Sequence, residues 1–336
     1  MLYLIEKDSI KYILKKLLGE GVTCKCYLGQ KISPDNTQEL FAIKIFEPKY
    51  FKYYNNEVNY LLKLSENENI IKLYNYGQGF ITPFINNNIT ENENPSLNID
   101  IPRKEQIYFE VIEYAPNGEL KDYILGPSTR LPEKISAKIF LKIVKTMQYI
   151  HANNIAHCDI KPENILLDKN FSPKLSDFGF SQSFKGDEGD YMLYKFSGTD
   201  IYCAPETRKA YITGFNGVKH DIFSLGVLLF VITIGSFPFD RASYSDEKYR
   251  FIVKKNYGRF WEYFDFMDIS EEFKDLINKL ICVTPSQRLC LNEILEHPWI
   301  RKYTGKNYEN ENNSKNEFGD YEMDKDVIDL FKSRKV

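Results

Sequence analysis

The hydrophobic period of the chain changes near residue 120, and this change constrains the fold more than any other feature. Across residues 11–46, short apolar segments alternate with turn residues, a pattern typical of β-strands. Strands are also predicted at 70–76 and 107–114, with a polar insert over 85–106 around Asn86–Pro95, and a helix at 55–64. After residue 120 apolar residues recur at helical spacing. The sequence therefore predicts an α+β chain with two lobes and a cleft between them.

The helical part is predicted in some detail. An apolar stripe indicates an amphipathic helix over 133–152, and shorter helices are expected at 219–235, 271–282 and 291–296. Residues 165–168 and 174–176 are predicted to pair as a short hairpin. The stripe consists of Ile135, Ile139, Ile143, Met147 and Ile150.

Composition excludes several classes of function. Lys and Arg total 44 against 47 Asp and Glu, so the net charge of −3 gives no basic field for nucleic acid. The 24 Tyr and 24 Phe supply too much burial for a disordered chain. An uncharged stretch over 223–239 falls short of the ~20 apolar residues of a membrane span and favours a buried helix.

The cysteines and the N-terminus indicate a cellular compartment. None of the six cysteines has C-x-x-C spacing, which argues against a zinc site and favours a reducing compartment. The pair Cys24-x-Cys26 is interpreted as small core residues. The apolar start of the chain meets an acid at Glu6, too soon for a signal peptide. We expect a monomeric, intracellular and cytoplasmic protein without a membrane partner, with the nucleus as an alternative.

Two features of the first lobe bear on chemistry. Gly19-x-Gly21 follows a predicted strand and could let the backbone approach phosphate groups, although such a pair is more often a tight turn. Lys44 ends an apolar strand, and a buried ammonium needs an anion to offset its desolvation. Glu57, on a helical face with Leu61 and Leu64, is the expected partner.

The second lobe carries more specific motifs. The segment His157-Cys-Asp159-Ile-Lys161-Pro-Glu-Asn164 places an acid, a base and an amide within a loop bounded by apolar residues. Asp177-Phe-Gly179 follows, and Gly198-Thr-Asp-Ile-Tyr-Cys-Ala204-Pro-Glu206 comes after it. Their joint occurrence, in this order, makes a chance match improbable.

With these motifs in order, the sequence resembles the eukaryotic protein kinase family over residues of about 11–301. Lys161-Pro-Glu-Asn164 is similar to serine/threonine kinases, and His297-Pro-Trp-Ile to the calcium/calmodulin-dependent-kinase-like branch. The resemblance implies a bilobal fold with a small β-rich N-lobe, which contains one main helix, a larger helical C-lobe and an ATP cleft. It divides the chain into an N-terminal extension (1–10), the N-lobe (11–114), the C-lobe (117–301) and a polar tail (302–336).

The resemblance also implies ATP and Mg²⁺ as cofactors and assigns catalytic roles. Asp159 would accept the proton of the substrate hydroxyl, and Lys161 would neutralise the γ-phosphate. The remaining roles fall to Lys44 for the α- and β-phosphates, Glu57 for fixing Lys44, Thr199 for bridging Asp159 and Lys161, and Asn164 and Asp177 for Mg²⁺.

The expected ATP site departs from the family pattern in places. Cys24 replaces the third glycine of the loop, Cys26 replaces the valine that covers adenine, and only 13 residues separate Lys44 from Glu57. Ile112 is the expected gatekeeper, and Glu119 the ribose contact. The ATP-binding set is Gly19, Glu20, Gly21, Cys26, Ala42, Lys44, Ile112, Glu113, Ala115, Glu119 and Leu166, with adenine bonded to the backbone of Glu113 and Ala115.

Further residues are implied to be structural or regulatory. They are Phe178 and Gly179 after the metal ligand, Glu206 and its partner Arg288, Asp221 as anchor of the catalytic loop, Cys158 and Ser197. Cys158 replaces the arginine that pairs with an activation-loop phosphate in many kinases. We therefore predict that basal activity does not need phosphorylation of Ser197, Tyr194 or Tyr191, and that Cys158 is a packed, inert thiol.

The predicted function is that of an ATP- and Mg²⁺-dependent protein serine/threonine kinase acting on protein substrates. The alternative is a catalytically weak scaffold, or pseudokinase, that binds nucleotide and partners. A calcium-sensing role has little support because the sequence contains no Asp-x-Asp-x-Asp-Gly loop. Glu119 and Glu163 match positions that face upstream arginines in basophilic kinases, so we expect substrates with Arg or Lys two or three residues before the Ser/Thr.

Overall fold

The computed structural model describes residues 2–7, 9–32, 39–84, 105–124, 130–184, 191–195, 198–305 and 323–334. Two compact units are present: Met1–Leu62 with Ile71–Ala115, and Lys63–Ile70 with Pro116–Val336. The first is rich in strands and the second in helices, which confirms the α+β, two-lobed prediction. Most of the polar insert and Ser197 lie outside the described residues.

The first unit is built on a closed antiparallel barrel with strand order β1-β2-β3-β4-β6-β5. Each strand pairs with a neighbour on both sides, so the sheet has no open edge. The strands are β1 (Leu2–Lys7), β2 (Ile10–Glu20), β3 (Cys24–Lys31), β4 (Leu40–Phe46), β5 (Leu73–Phe84) and β6 (Glu105–Glu113).

Strand β1 lies before the predicted start of the domain but pairs within the same barrel. Residues 1–10 were predicted to form an extension outside the domain, yet Leu2–Lys7 pairs with β2 on one side and β5 on the other. The run Leu2-Tyr-Leu-Ile lacks the apolar–polar alternation of a half-buried strand, so the pattern gave no signal. The compact unit that contains the first lobe therefore includes β1.

Alternation along β4 separates the two faces of the sheet. Ile43 points into the barrel, where it packs with residues such as Ile5 and Phe109. Ala42 and Lys44 lie on the opposite face because successive side chains of a strand alternate. The face that carries Lys44 is thus the outer one, and the barrel interior is a separate core.

Helix α1 (Phe51–Lys63) carries the predicted partner of Lys44. Its buried residues Tyr54, Glu57, Val58 and Leu61 follow helical spacing, and Tyr54 and Val58 pack with Phe46 at the end of β4. The helix begins four residues before the predicted start. The aromatic run that precedes residue 55 has β propensity by itself, and packing against β4 decides its conformation.

The second unit contains nine further helices among the described residues. The amphipathic helix predicted over 133–152 is confirmed with the same bounds, and the helices predicted near 219–235, 271–282 and 291–296 are present. The helices are α2 (Glu133–Ala152), α3 (Ala210–Thr213), α4 (Gly217–Ile234), α5 (Glu247–Val253), α6 (Tyr257–Glu262), α7 (Glu271–Leu280), α8 (Leu291–Leu295), α9 (Pro298–Thr304) and α10 (Lys325–Arg334).

Helix α4 is the centre of this unit. It is the one described helix long and apolar enough to cross a membrane, but 89% of it is buried inside the unit, as the prediction of a buried helix requires. A Cβ at Gly226 would lie 2.7 Å from Leu280 Cβ and 2.8 Å from Ile281 Cγ2. Glycine therefore permits the close packing of α4 against the end of α7.

Within the described part of this unit, three short two-stranded sheets lie between the helices. The predicted hairpin is confirmed by the antiparallel pairing of Ile165–Leu167 with Pro173–Leu175. Lys63–Ile70 belongs to this unit because Leu175 N–H donates to Asn69 O at 2.8 Å. The short strands are β7 (Ile155–Ala156), β8 (Ile165–Leu167), β9 (Pro173–Leu175), β10 (Gln182–Ser183), β11 (Met192–Leu193) and β12 (Phe215–Asn216).

The barrel core predicts a measurable role for β1. Ile5 is fully buried, so Ile5→Ala would remove core volume and lower the free energy of unfolding by about 2–5 kcal/mol. Ile10→Ala, at an exposed position next to β1, would cost less than about 1 kcal/mol. Urea denaturation followed by circular dichroism measures both. Equal, small losses would contradict the assignment of β1 to the core.

Candidate active site

The glycine-rich segment is the hairpin turn between β2 and β3. Gly21 N–H donates to Cys24 O at 2.9 Å, and Gly19 and Glu20 pair with Cys26 and Lys25. A Cβ at Gly19 would meet no atom within 4 Å, and one at Gly21 would meet only Cys24 O at 3.7 Å. This open space over the backbone fits a phosphate-binding turn.

The predicted pair of Lys44 and Glu57 forms within the first unit. Lys44 Nζ donates to Glu57 Oε1 at 2.5 Å, and the two side chains are 11% and 3% exposed. The short lead-in to α1 does not prevent this pairing. The carboxylate compensates the charge of the buried ammonium, whose desolvation would be strongly unfavourable without a partner. Lys44 therefore presents a fixed positive charge on the outer face of the sheet.

The expected adenine-binding residues share that face. Cys26 is the register partner of Lys44, and Ala42 is the partner of the buried Ile112. Directly opposed residues of an antiparallel pair lie on the same face. Glu113 N–H donates to Lys72 O at 2.8 Å, so its carbonyl is the group it can offer to adenine; Ala115 ends the unit.

A buried carboxylate anchors the catalytic loop, as predicted for Asp221. Asp221 accepts hydrogen bonds from the backbone N–H groups of His157 and Cys158, both at 2.9 Å, and its Oδ2 lies 2.8 Å from His151 Nε2. Burial alone would raise the pKa of Asp221, but the hydrogen bond and charge of His151 outweigh it and lower the pKa. The loop is thus tied to the start of α4.

Asp159 lies at the centre of a polar network in that loop. Its carboxylate accepts from Thr199 N–H at 3.0 Å and from Thr199 Oγ1 at 2.8 Å, and it lies 2.7 Å from Lys161 Nζ. Lys161 Nζ also donates to Thr199 Oγ1 at 2.8 Å, so the predicted threonine bridge is present. Burial opposes ionisation, but Lys161 and Thr199 outweigh it and lower the pKa of Asp159.

The two expected metal ligands are held on neighbouring backbone. Asn164 Nδ2 donates to Asp159 O at 2.8 Å and Asp159 Oδ2 at 3.0 Å, which leaves its amide oxygen as the end able to bind a cation. Ser176 N–H and Oγ both donate to Asn164 O, and Asp177 follows directly. An amide and a carboxylate oxygen suit Mg²⁺, so these residues fit the expected ion.

His157 packs against the Asp-Phe-Gly segment (Asp177–Gly179). Burial lowers the pKa of His157, and the neutral ring accepts from Asp159 N–H through Nδ1 at 3.3 Å. Its Nε2–H can then donate to Ser176 O at 3.2 Å. The ring of the fully buried Phe178 lies 4.9 Å away, and Gly179 N–H lies 3.4 Å from Asp177 Oδ1.

Cys158 is a packed thiol, in agreement with the prediction. It is 1% exposed, and burial raises its pKa well above the ordinary value, so the thiol stays protonated. Its backbone is left-handed, with φ of +65°, as is that of Asp177, with φ of +62°. Such strained residues persist only where the surroundings hold them, and at Cys158 the hydrogen bond from its N–H to Asp221 does so.

The predicted ion pair of Glu206 and Arg288 is bidentate. The guanidinium donates to Glu206 Oε1 at 2.6 Å and Oε2 at 2.8 Å. The side chain of Arg288 is fully buried and also donates to the carbonyls of Cys282, Lys219 and Val283. Its five donors are thus well used, which offsets the cost of burying the charge.

Glu119 and Leu166 lie together in the second unit. Glu119 precedes the 3₁₀ turn Leu120–Tyr123, and its N–H donates to Asp122 Oδ2 at 3.2 Å. The backbone of Glu119 also forms a β-bridge with Leu166 in β8. Burial, with a contribution from Asp122, raises the pKa of Glu119. Glu163 lies 3.8 Å from Lys121, and its Oε2 is enclosed without a hydrogen-bond donor among the described residues.

Two supporting residues carry no sequence signal. His151 is the last-turn residue of α2 that holds Asp221, and Ser176 joins Asn164 to the segment before Asp177. Neither stands at a position the motifs emphasise. Only the spatial approach of α2 and α4 reveals the role of His151.

Comparison with known proteins agrees with this geometry. Residues 12–300 match the family described as the protein kinase domain. The chain belongs to the protein kinase family. The expectation drawn from the motif order is therefore confirmed, and the two units are the lobes of a kinase fold.

Three relatives carry protein kinase names, and two of these names specify a serine/threonine-protein kinase. The chain is 30% identical over 300 residues to CBL-interacting protein kinase 30 of Oryza sativa subsp. japonica, covering 88% of this chain and 55% of that protein. It is 31% identical over 305 residues to CBL-interacting serine/threonine-protein kinase 12 of Arabidopsis thaliana, covering 87% and 53%. It is 32% identical over 296 residues to probable serine/threonine-protein kinase MARK-A of Dictyostelium discoideum, covering 86% and 24%. The chain thus spans about half the length of the CBL-interacting kinases it matches.

The network around Asp159 predicts a change in pH dependence. Thr199→Val removes the hydroxyl donor to Asp159 Oδ1, so the pKa of Asp159 rises and the acid limb of the pH–rate profile moves to higher pH. At neutral pH we expect kcat to fall about tenfold, because one hydrogen bond to a charged group contributes about 1.5 kcal/mol. Thr199→Ser keeps the hydroxyl and is the matched control. An acid limb that does not move would contradict the network.

Proposed function

We propose that this protein is an ATP- and Mg²⁺-dependent protein serine/threonine kinase. The observation that carries the proposal is the arrangement around Asp159, where its ionised carboxylate, the ammonium of Lys161 and the hydroxyl of Thr199 bond to one another. Phosphoryl transfer depends on positioning and charge neutralisation more than on covalent chemistry. A loop of this kind supplies both.

Each residue has a role that its surroundings support. Asp159, held ionised, would orient the hydroxyl of a serine or threonine and accept its proton as the new P–O bond forms and the γ-phosphate leaves ADP. Lys161, which contacts the same carboxylate, would stabilise the charge on the transferred phosphoryl group. Lys44, paired with Glu57, would hold the α- and β-phosphates.

Asn164 and Asp177 are the residues that would hold Mg²⁺. When bound, the ion neutralises the charge of the phosphate oxygens. Bonds from Asn164 Nδ2 to Asp159 fix the amide, so its oxygen is oriented before an ion arrives. Protein substrates follow from the family, and a monomeric, cytoplasmic enzyme remains a prediction.

The alternative function, a kinase-like scaffold without turnover, is not favoured by any residue of the site. Lys44, Glu57, Asp159, Asn164 and Asp177 are all present. Within the first unit Lys44 bonds to Glu57, and within the second unit Asn164 bonds to Asp159, as the proposed roles need.

Replacing Asp159 tests the proposal directly. Asp159→Asn would lower kcat by about 10²–10⁴, the usual contribution of a positioned general base, while ADP affinity stays within a few-fold. Phosphate transfer from ATP to a serine peptide and calorimetric ADP binding measure the two quantities. Asp265→Asn, at an exposed position, is the control. A wild-type protein that binds ADP but transfers no phosphate to any protein or peptide would favour the scaffold.

Substrate preference forms a second test. We propose that Glu163, with Glu119 near it, selects Arg or Lys two or three residues before the phosphoacceptor, because its side chain is 34% exposed and can accept a hydrogen bond from a basic side chain. Glu163→Gln would lower kcat/KM for an arginine-containing peptide about tenfold or more, and hardly change it for the alanine counterpart. Glu271→Gln, in an exposed pair, is the control. A peptide library that selects acidic or proline residues would contradict the proposal.

A further inference from the structure

The C-terminal helix α10, predicted as part of a polar tail, docks on the second unit. Met323, Val327 and Phe331 recur every four residues, and all three are buried, the last two completely. These three residues therefore form an apolar packing face. The residues it contacts converge on Tyr123, which ends the 3₁₀ turn that begins after Glu119.

Two residues of α10 hold Tyr123 from different sides. The ring of Phe331 lies 4.8 Å from the ring of Tyr123 and 5.8 Å from that of Phe171. Arg334 Nη1 donates to Tyr123 O at 2.8 Å, and Nη2 donates to Arg130 O at 3.0 Å. Tyr123 itself is 4% exposed. The end of α10 thus fixes both the ring and the backbone of Tyr123.

Ion pairs at the other end set the position of the helix. Lys138 of α2 contacts Asp324 and Asp326, and Lys134 contacts Asp326 at 2.7 Å. Lys138 is 15% exposed, so its pairs are screened less than open surface pairs. Burial would lower the pKa of Lys138, but the two aspartates outweigh it and raise the pKa. Charge and apolar contact therefore define one docked arrangement.

From Tyr123 the contacts continue to the expected nucleotide-binding residues. Tyr123 Oη donates to Asn117 O at 2.9 Å, and Asn117 Nδ2 donates to Asp168 O at 2.6 Å. Leu167 N–H donates to Gly118 O at 2.8 Å. The strip from Asn117 to Glu119 is thus held between Tyr123 and the end of β8, next to Leu166.

We propose that α10 supports nucleotide binding, because by holding Tyr123 it positions Glu119 and Leu166. Phe331 and Arg334 are then positioning residues, and the docked helix is the form that binds nucleotide well. The inference rests on the proposed function, since the nucleotide roles of Glu119 and Leu166 come from it. Any partner that draws α10 away would weaken nucleotide binding before it affected phosphoryl transfer.

Full-length variants test this positioning role. Phe331→Ala would raise KM for ATP and the dissociation constant for ADP by about fivefold or more, the lower end of typical coupling between sites. The KM for peptide and kcat at saturating ATP would change little. Lys332→Ala introduces the same residue on the exposed face of the helix and is the matched control.

A rescue experiment separates positioning from general stability. Phe331→Leu, which retains an apolar side chain, would recover most of the affinity for ADP. A synthetic peptide of residues 323–334 added to the Phe331→Ala protein would lower its KM for ATP, whereas the same peptide with alanine at position 331 would not. If Phe331→Ala fails to fold, Arg334→Gln removes the bonds to Tyr123 and Arg130 and leaves the apolar contacts intact.

The outcomes are distinct. Equal ADP affinities in the Phe331→Ala and Lys332→Ala proteins, or a loss of kcat with unchanged affinity, would overturn the role of α10. If the wild type binds ADP but phosphorylates nothing, the proposed function fails, and the ADP titrations still decide the role of the helix. If the wild type binds no nucleotide, both proposals fall.

Discussion

The carboxylate of Asp221 is the interaction on which the catalytic loop depends. It lies at the start of α4, the most buried helix of its unit, and accepts hydrogen bonds from two consecutive backbone N–H groups and contacts His151. A buried charge is stable only when its hydrogen-bonding capacity is filled. Because His157 and Cys158 fill it, the loop is forced into one path, including the left-handed backbone of Cys158.

That path determines where the reactive groups lie. Once Cys158 is fixed, Asp159 points to Thr199 and Lys161, and its own oxygens orient Asn164. These bonds join groups of the protein itself, so these side chains are oriented by the fold. The neutral thiol of Cys158 contributes no charge here, which distinguishes the loop from kinases with an arginine at this position.

The sequence indicates the chemistry better than it indicates the limits of the fold. Motif residues such as Asp159 and Lys44 were predictable because each chemical role requires a particular side chain at a particular spacing. Helix α2 was predictable because its stripe is long and regular. Strand β1 and helix α10 were not placed, since a local pattern shows which face is apolar but not which distant surface will cover it. His151 escaped notice for the same reason.

The two ends of the chain are therefore structural parts of the units to which they belong. Removing residues 1–10 would leave β2 and β5 with unpaired backbone groups and open the barrel core at Ile5. Removing the tail would expose the rings of Tyr123 and Phe171 and leave Lys138 half-buried without its aspartates. Each truncation would keep all the family motifs and would remove contacts that involve no motif residue. A chain bounded by its motifs would keep every catalytic side chain, yet it would lose part of the framework that holds them.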